Sequence, residues 1–158
     1  MGFESYYETI TKVSQLFMMS PALIAAVIAT ESSWDMDAKS KYGIGLMQVS
    51  EAAFNQMKSI VNADWSYEDL MDPEKNILIG TAYLKWLLDQ FEDESRDVQT
   101  ILALMSYNWG IGNVKKWLES KEDNRVIDEN VPAETKSYIM NVMFYMSKFA
   151  KRLKSTVR

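Results

Sequence analysis

The chain contains no cysteine and no histidine. Without cysteine there is no disulfide and no thiolate chemistry. Without histidine it lacks the commonest metal ligand, the commonest general base and every Ser–His or Cys–His nucleophile. Any acid–base chemistry falls to Asp, Glu, Lys or Tyr, and neither a metal nor a cofactor is expected. Basic charge is also scarce: 17 Lys and Arg stand against 22 Asp and Glu, a net charge of −5. That balance argues against nucleic acid as a partner. The exception is the C-terminal run of Lys148, Lys151, Arg152, Lys154 and Arg158. Its plain reading is a solvated helix end with cations near the negative pole of the dipole. A weak patch for anionic wall polymers or nucleic acid is the alternative. No stretch stays apolar for about 18 residues, so no membrane span is expected. The opening Met-Gly-Phe-Glu-Ser has no basic n-region and no apolar h-region, so it does not read as a signal peptide.

What is present is a 158-residue chain, 47% hydrophobic. This suits one domain over residues 1–158 with a core of its own, and a monomer is expected. Apolar residues recur with helical periodicity. Helices are predicted from about Glu4 to Phe17, Pro21 to Ser33, Ser50 to Val61, after Asp72-Pro73, from about Asp97 to Trp109, and after Pro132. Ser20-Pro21 and Asp72-Pro73 each read as an N-cap followed by proline at the first helical position. Gly110 and Gly112 read as a stop. A loop rich in small and polar residues covers Trp34 to about Val49. The predicted class is all-α or nearly so, with at most one short hairpin between Lys39 and Val49.

Glu31 is the informative acid. It lies seven, four and three residues beyond Ile24, Val27 and Ile28, so helical spacing sets it on their face. A carboxylate there is either paired or desolvated with a raised pKa, which suits a general acid near neutral pH. A glutamate that simply reaches solvent at a helix end is the plain alternative. Asp35 and Asp37 read as a helix-terminal turn. From Ala38 to Ser50 there is no Asp or Glu. Two-carboxylate glycosidases hold their partners about 5–10 Å apart, and the loop offers Ser40, Gln48 and Ser50 instead. A glycosidase built this way works with one carboxylate. Asn108, beside Tyr107, falls seven, four and three residues beyond Ile101, Leu104 and Met105. It reads either as a core amide bonded to backbone or as a donor and acceptor for a sugar N-acetyl group. Gly43 and Gly45 read as loop geometry. Trp34, Trp65, Trp86 and Trp117 read as packing, with one free to stack on a sugar.

Several runs resemble the soluble lytic transglycosylase catalytic domain of family 1. They are Ala22 to Glu31-Ser32, then Ser40 with Gly43-Ile-Gly45-Leu46-Met47-Gln48. Asp72-Pro73, Asn76-Ile77, Gly80 and Tyr83-Leu84 follow, then Ala103 to Tyr107-Asn108-Trp109-Gly110, and last Pro132-Ala-Glu134-Thr135 with Tyr138. They keep the family's order over about Ser20 to Val142. The chain departs at Trp109, where a small residue is usual, and in a loop one residue shorter between Ser40 and Gln48. The resemblance implies a lysozyme-like helical domain with a groove for peptidoglycan glycan strands. It implies that Glu31 protonates the oxygen between N-acetylmuramic acid and N-acetylglucosamine. The muramic 6-hydroxyl then attacks, leaving a 1,6-anhydromuramic end. Gln48, Tyr107 and Asn108 would hold the sugar, Ser40 would touch it, and Tyr138 would orient Glu31. The alternatives are a hydrolytic muramidase of the goose-type lysozyme kind and a non-catalytic glycan-binding or scaffolding module. Action in the periplasm or cell wall follows. A leaderless catalytic domain suits a phage enzyme as well as an excised domain of a secreted protein.

Overall fold

Helix α1 spans Phe3–Phe17 and buries Phe3, Ile10, Val13 and Ser14 on one face. It ends in a Schellman motif: Met18 N–H donates to Gln15 O and Met19 N–H to Ser14 O. The left-handed position, φ 53°, is filled by Met18 rather than the usual glycine. The structure, a computed structural model, describes residues 2–121 and 127–156. Met1 and Arg158, both used in the sequence reading, lie outside the described residues.

The remaining helices are α2 (Pro21–Ser32), α3 (Glu51–Met57), α4 (Pro73–Asp89), α5 (Arg96–Trp109), α6 (Ile111–Glu119) and α7 (Ala133–Thr156), with a short 3-10 helix at Tyr67–Met71. Lys39 pairs with Ile44 and Ile44 with Val49 in isolated antiparallel bridges. That is the small hairpin-like feature the sequence allowed. No helix among the described residues is long and apolar enough to cross a membrane.

The chain divides into two compact units. Met1–Tyr83 with Val142–Arg158 forms one, and Leu84–Asn141 the other. In the first, α1 packs on α2. Ser20 caps α2 by accepting from Leu23 N–H, with Pro21 opening the helix. Every residue from Ala22 to Ala29 is buried. The helix is therefore a core helix wrapped on all sides, not one with a single apolar stripe. In the second unit α5 packs on α6. Leu102 to Ser106 of α5 and Val114 and Trp117 of α6 are buried.

Two sequence boundaries move. The helix predicted from Ser50 to Val61 stops at Met57. Beyond it Ile60 is 63% exposed and Asn62 turns left-handed at φ 57°, so no burial offsets the cost of continuing. At the other boundary, Gly110 adopts φ 97°, ψ 135°, a corner open to glycine. It ends α5 but also starts α6, which the sequence reading missed. Gly112 lies inside α6 and is no stop.

Candidate functional site

Glu31 sits in the last turn of α2, between buried and exposed. Its neighbours fold their hydroxyls back on the helix: Thr30 Oγ1 donates to Ala26 O at 2.8 Å and Ser32 Oγ to Ile28 O at 3.1 Å. The next two residues, Ser33 (φ 52°) and Trp34 (φ 69°), are both left-handed without being glycine. Each such residue costs about 1–2 kcal/mol, and strain of this kind gathers at functional sites. Aromatic packing holds the turn. The Trp34 ring stacks on Tyr6, with centroids 6.1 Å apart and planes 5° apart, and meets Phe3 and Phe149 edge-on. Trp34 is thus a packing residue that pins the chain directly after Glu31. Asp35 closes the following turn, its Oδ1 accepting from Asp37 N–H at 2.9 Å.

The loop after this turn is organised around Ser40 and Gln48. Ser40 Oγ donates to Gln48 Oε1 at 2.8 Å and accepts from the N–H groups of Tyr42 and Gly43. Gln48 Nε2 donates to Ala38 O and Gly45 O, both at 3.0 Å. Gln48 itself is left-handed at φ 49°. Almost all the hydrogen-bonding capacity of this pair is spent inside the loop.

Asn76 of α4 ties the loop down. Fully buried, it accepts at Oδ1 from Met47 N–H (2.8 Å) and donates from Nδ2 to Ile44 O and Leu70 O (both 2.9 Å). Gly45, at φ 75°, lets this amide come close: a Cβ there would lie 2.1 Å from Asn76 Nδ2. At the loop's end Tyr67 OH donates to Val49 O at 2.7 Å. Burial, and then the negative charges of Glu51 and Glu68, push this phenol's pKa up, so it stays a donor at neutral pH. In the sequence Asn76 stands out only within a resembling run. The face argument used for Asn108 would have found it, since Asn76 precedes buried Ile79 and Gly80 by three and four residues.

The other expected residues belong to the second unit. Tyr107 and Asn108 lie near the end of α5, between buried and exposed. Asn108 Oδ1 accepts from Thr135 Oγ1 at 2.9 Å, a side-chain partner rather than the backbone one considered above. Tyr138 is buried in α7. Trp109 is half-buried, and its carbonyl accepts from Asn113 Nδ2 at 2.7 Å. Trp117 donates from Nε1 to Asp128 Oδ1 at 2.9 Å, with Lys121 over its ring and paired with Asp128 at 3.2 Å. Among the described residues no three carboxylates gather as metal ligands do.

The family model described as the transglycosylase SLT domain matches residues 8–130. The chain belongs to this family. The chain is 32% identical over 148 residues to the soluble lytic murein transglycosylase of Salmonella typhimurium, covering 89% of this chain and 22% of that one. It is 35% identical over 127 residues to the protein of that name from Escherichia coli K12, covering 76% and 19%. The chain thus spans about a fifth of the length of these relatives. Its fold matches an inactive mutant of the lytic transglycosylase Slt from Pseudomonas aeruginosa, with TM-score 0.83 and 27% identity over 94% of this chain and 24% of that one. It also matches the 70 kDa soluble lytic transglycosylase of Escherichia coli, with TM-score 0.81 and 28% identity over the same shares. The lysozyme-like helical class expected from the sequence holds.

Proposed function

We propose that this SLT domain is a peptidoglycan lytic transglycosylase with Glu31 as its single general acid and base. Glu31 gives its proton to the glycosidic oxygen between N-acetylmuramic acid and N-acetylglucosamine, and the bond from that oxygen to the muramic anomeric carbon breaks. The muramic 6-hydroxyl bonds to the same carbon and returns its proton to Glu31. The 1,6-anhydromuramic end forms without water, so no second carboxylate is required. The observation that carries this reading is the setting of Glu31. It ends a helix buried from Ala22 to Ala29 and is followed by two left-handed residues, the second held by an aromatic cluster, in a chain matched by the SLT family. The murein transglycosylase names of the relatives support the substrate class.

Tyr107, Asn108 and Tyr138 serve as sugar-holding residues, and Ser40 and Gln48 as the clasp that shapes the loop beside the sugar. The domain works as a monomer and as one domain on glycan strands of the periplasm or cell wall. Its acidic balance supports a glycan over nucleic acid.

Digestion of purified sacculi followed by mass spectrometry tests the reaction. Anhydromuramic ends are expected, and reducible muramic ends alone would overturn the reading. Glu31→Gln keeps the fold and loses activity by about 100-fold or more. Unchanged turnover in that variant would leave the mechanism without its acid.

A further inference from the structure

We propose that Thr135 is a positioning residue that sets which end of the Asn108 amide the substrate meets. The inference rests on the reading of Asn108 as a sugar-holding residue. The hydroxyls of Thr11, Thr30, Ser32, Thr100 and Ser106 all donate to the carbonyl four residues earlier in their own helix. Thr135 does something else. It lies in the first turn of α7, is 2% exposed, and donates to Asn108 Oδ1 at the end of α5. Its β-branched side chain has few χ1 states in a helix, its burial and the bond to Asn108 select one, and Pro132 fixes the entry to the helix. The donor is therefore held in place before any ligand arrives.

An asparagine amide has an acceptor end and a donor end of nearly equal size, and rotation by half a turn exchanges them. Two features select one orientation here. The Thr135 hydroxyl takes up the oxygen, and the first turn of α7 is the positive end of that helix dipole, which favours the oxygen over the NH2 group. Oδ1 and Nδ2 diverge from one carbon, so an Oδ1 held by Thr135 leaves Nδ2 as the other end of the amide. Asn108 then presents two N–H donors to a ligand and not its carbonyl. A pair of donors fits an acceptor, and the sugar group with a strong neutral acceptor is the N-acetyl carbonyl. Thr135 thus gives the site a preference for acetylated over deacetylated sugars without touching either.

Thr135→Val keeps the shape and removes the hydroxyl, Thr135→Ser keeps the hydroxyl, and Thr135→Cys replaces Val should that variant not fold. Each is assayed on sacculi for kcat and KM beside the wild type. Each is also titrated with N-acetylglucosamine tetramer and with its fully deacetylated counterpart. Loss of the hydroxyl is expected to cut the preference for the acetylated tetramer by about tenfold, the scale of one hydrogen bond, and to raise KM more than it lowers kcat. Thr135→Ser is expected to restore both to within about twofold. A Val or Cys variant with altered thermal stability but wild-type KM, kcat and acetyl preference would overturn the inference and leave the Glu31 chemistry intact. A wild type that makes no anhydromuramic ends would instead remove the reading beneath it.

Discussion

Asn76 shows how much one buried amide can organise. Its three hydrogen bonds satisfy one N–H and two carbonyls, from Met47, Ile44 and Leu70, and each group left unpaired in a core costs about 1–3 kcal/mol. Asn76→Ala is therefore expected to lower stability by on the order of 3–5 kcal/mol, measured by denaturant unfolding. A loss below about 1 kcal/mol would mean that water replaces the amide. Ser40 and Gln48 stood out in the sequence as candidate positions, but the structure gives them bonds to each other and to Ala38 and Gly45. Linear spacing does not encode such bonds. Thr135 stood in the sequence only as part of a resembling run for the same reason, since its partner lies 27 residues earlier.

At the scale of elements, the polar cap followed by proline gave two helix starts correctly, at Ser20-Pro21 and Asp72-Pro73, because capping and a fixed φ are local effects. The single-stripe view of α2 failed because a helix buried all round has no polar face for comparison. Glu31 stands out as the acid that ends a buried helix, not as an intruder on one side of it. Helix α6 was missed because two glycines so close together read as a break. Only Gly110 needs its glycine. A Cβ on Gly112 would meet nothing within 4 Å, so Gly112→Ala is expected to stabilise the chain by about 0.5–1 kcal/mol through helix propensity and unfolded-state entropy, read as a raised Tm.

The link between α6 and α7 carries a pH dependence. The hydrogen bond from Trp117 holds the Asp128 carboxyl below the usual aspartate range. Burial opposes this, while Asn130 N–H and Lys121 add to it. A depressed folded pKa stabilises the fold above the unfolded value, about pH 4, and that contribution disappears as pH falls through the folded value. Asp128→Asn is expected to be less stable than wild type at pH 7, with the gap closing below about pH 4. Thermal unfolding followed by far-UV circular dichroism across pH reads it. A gap independent of pH would assign the effect to packing alone.

For the whole molecule, the charge balance is uneven in a way that the sequence made plain and the structure explains. Of the basic C-terminal residues, Lys148 and Arg152 of α7 have aromatic or acidic neighbours in their own unit. Arg152 pairs with Glu4 and lies 5.0 Å from the centre of the Phe3 ring and 5.8 Å from that of Phe149. Lys148 sits over Phe144. These two cations cover aromatic surface. The helices α4 and α7 each contribute residues to both compact units. If the chain works as one domain, calorimetry gives a single transition whose calorimetric and van't Hoff enthalpies agree. Two resolved transitions would assign separate stabilities to the units.

The rings around Trp34 come from opposite ends of the chain, Phe3 and Tyr6 from the first helix and Phe149 from the last. Clipping the chain back past these rings at either side would slacken the bend that follows Glu31, although Glu31 itself had not been altered. Engineers who shorten this protein or fuse a carrier to it should leave both tails whole.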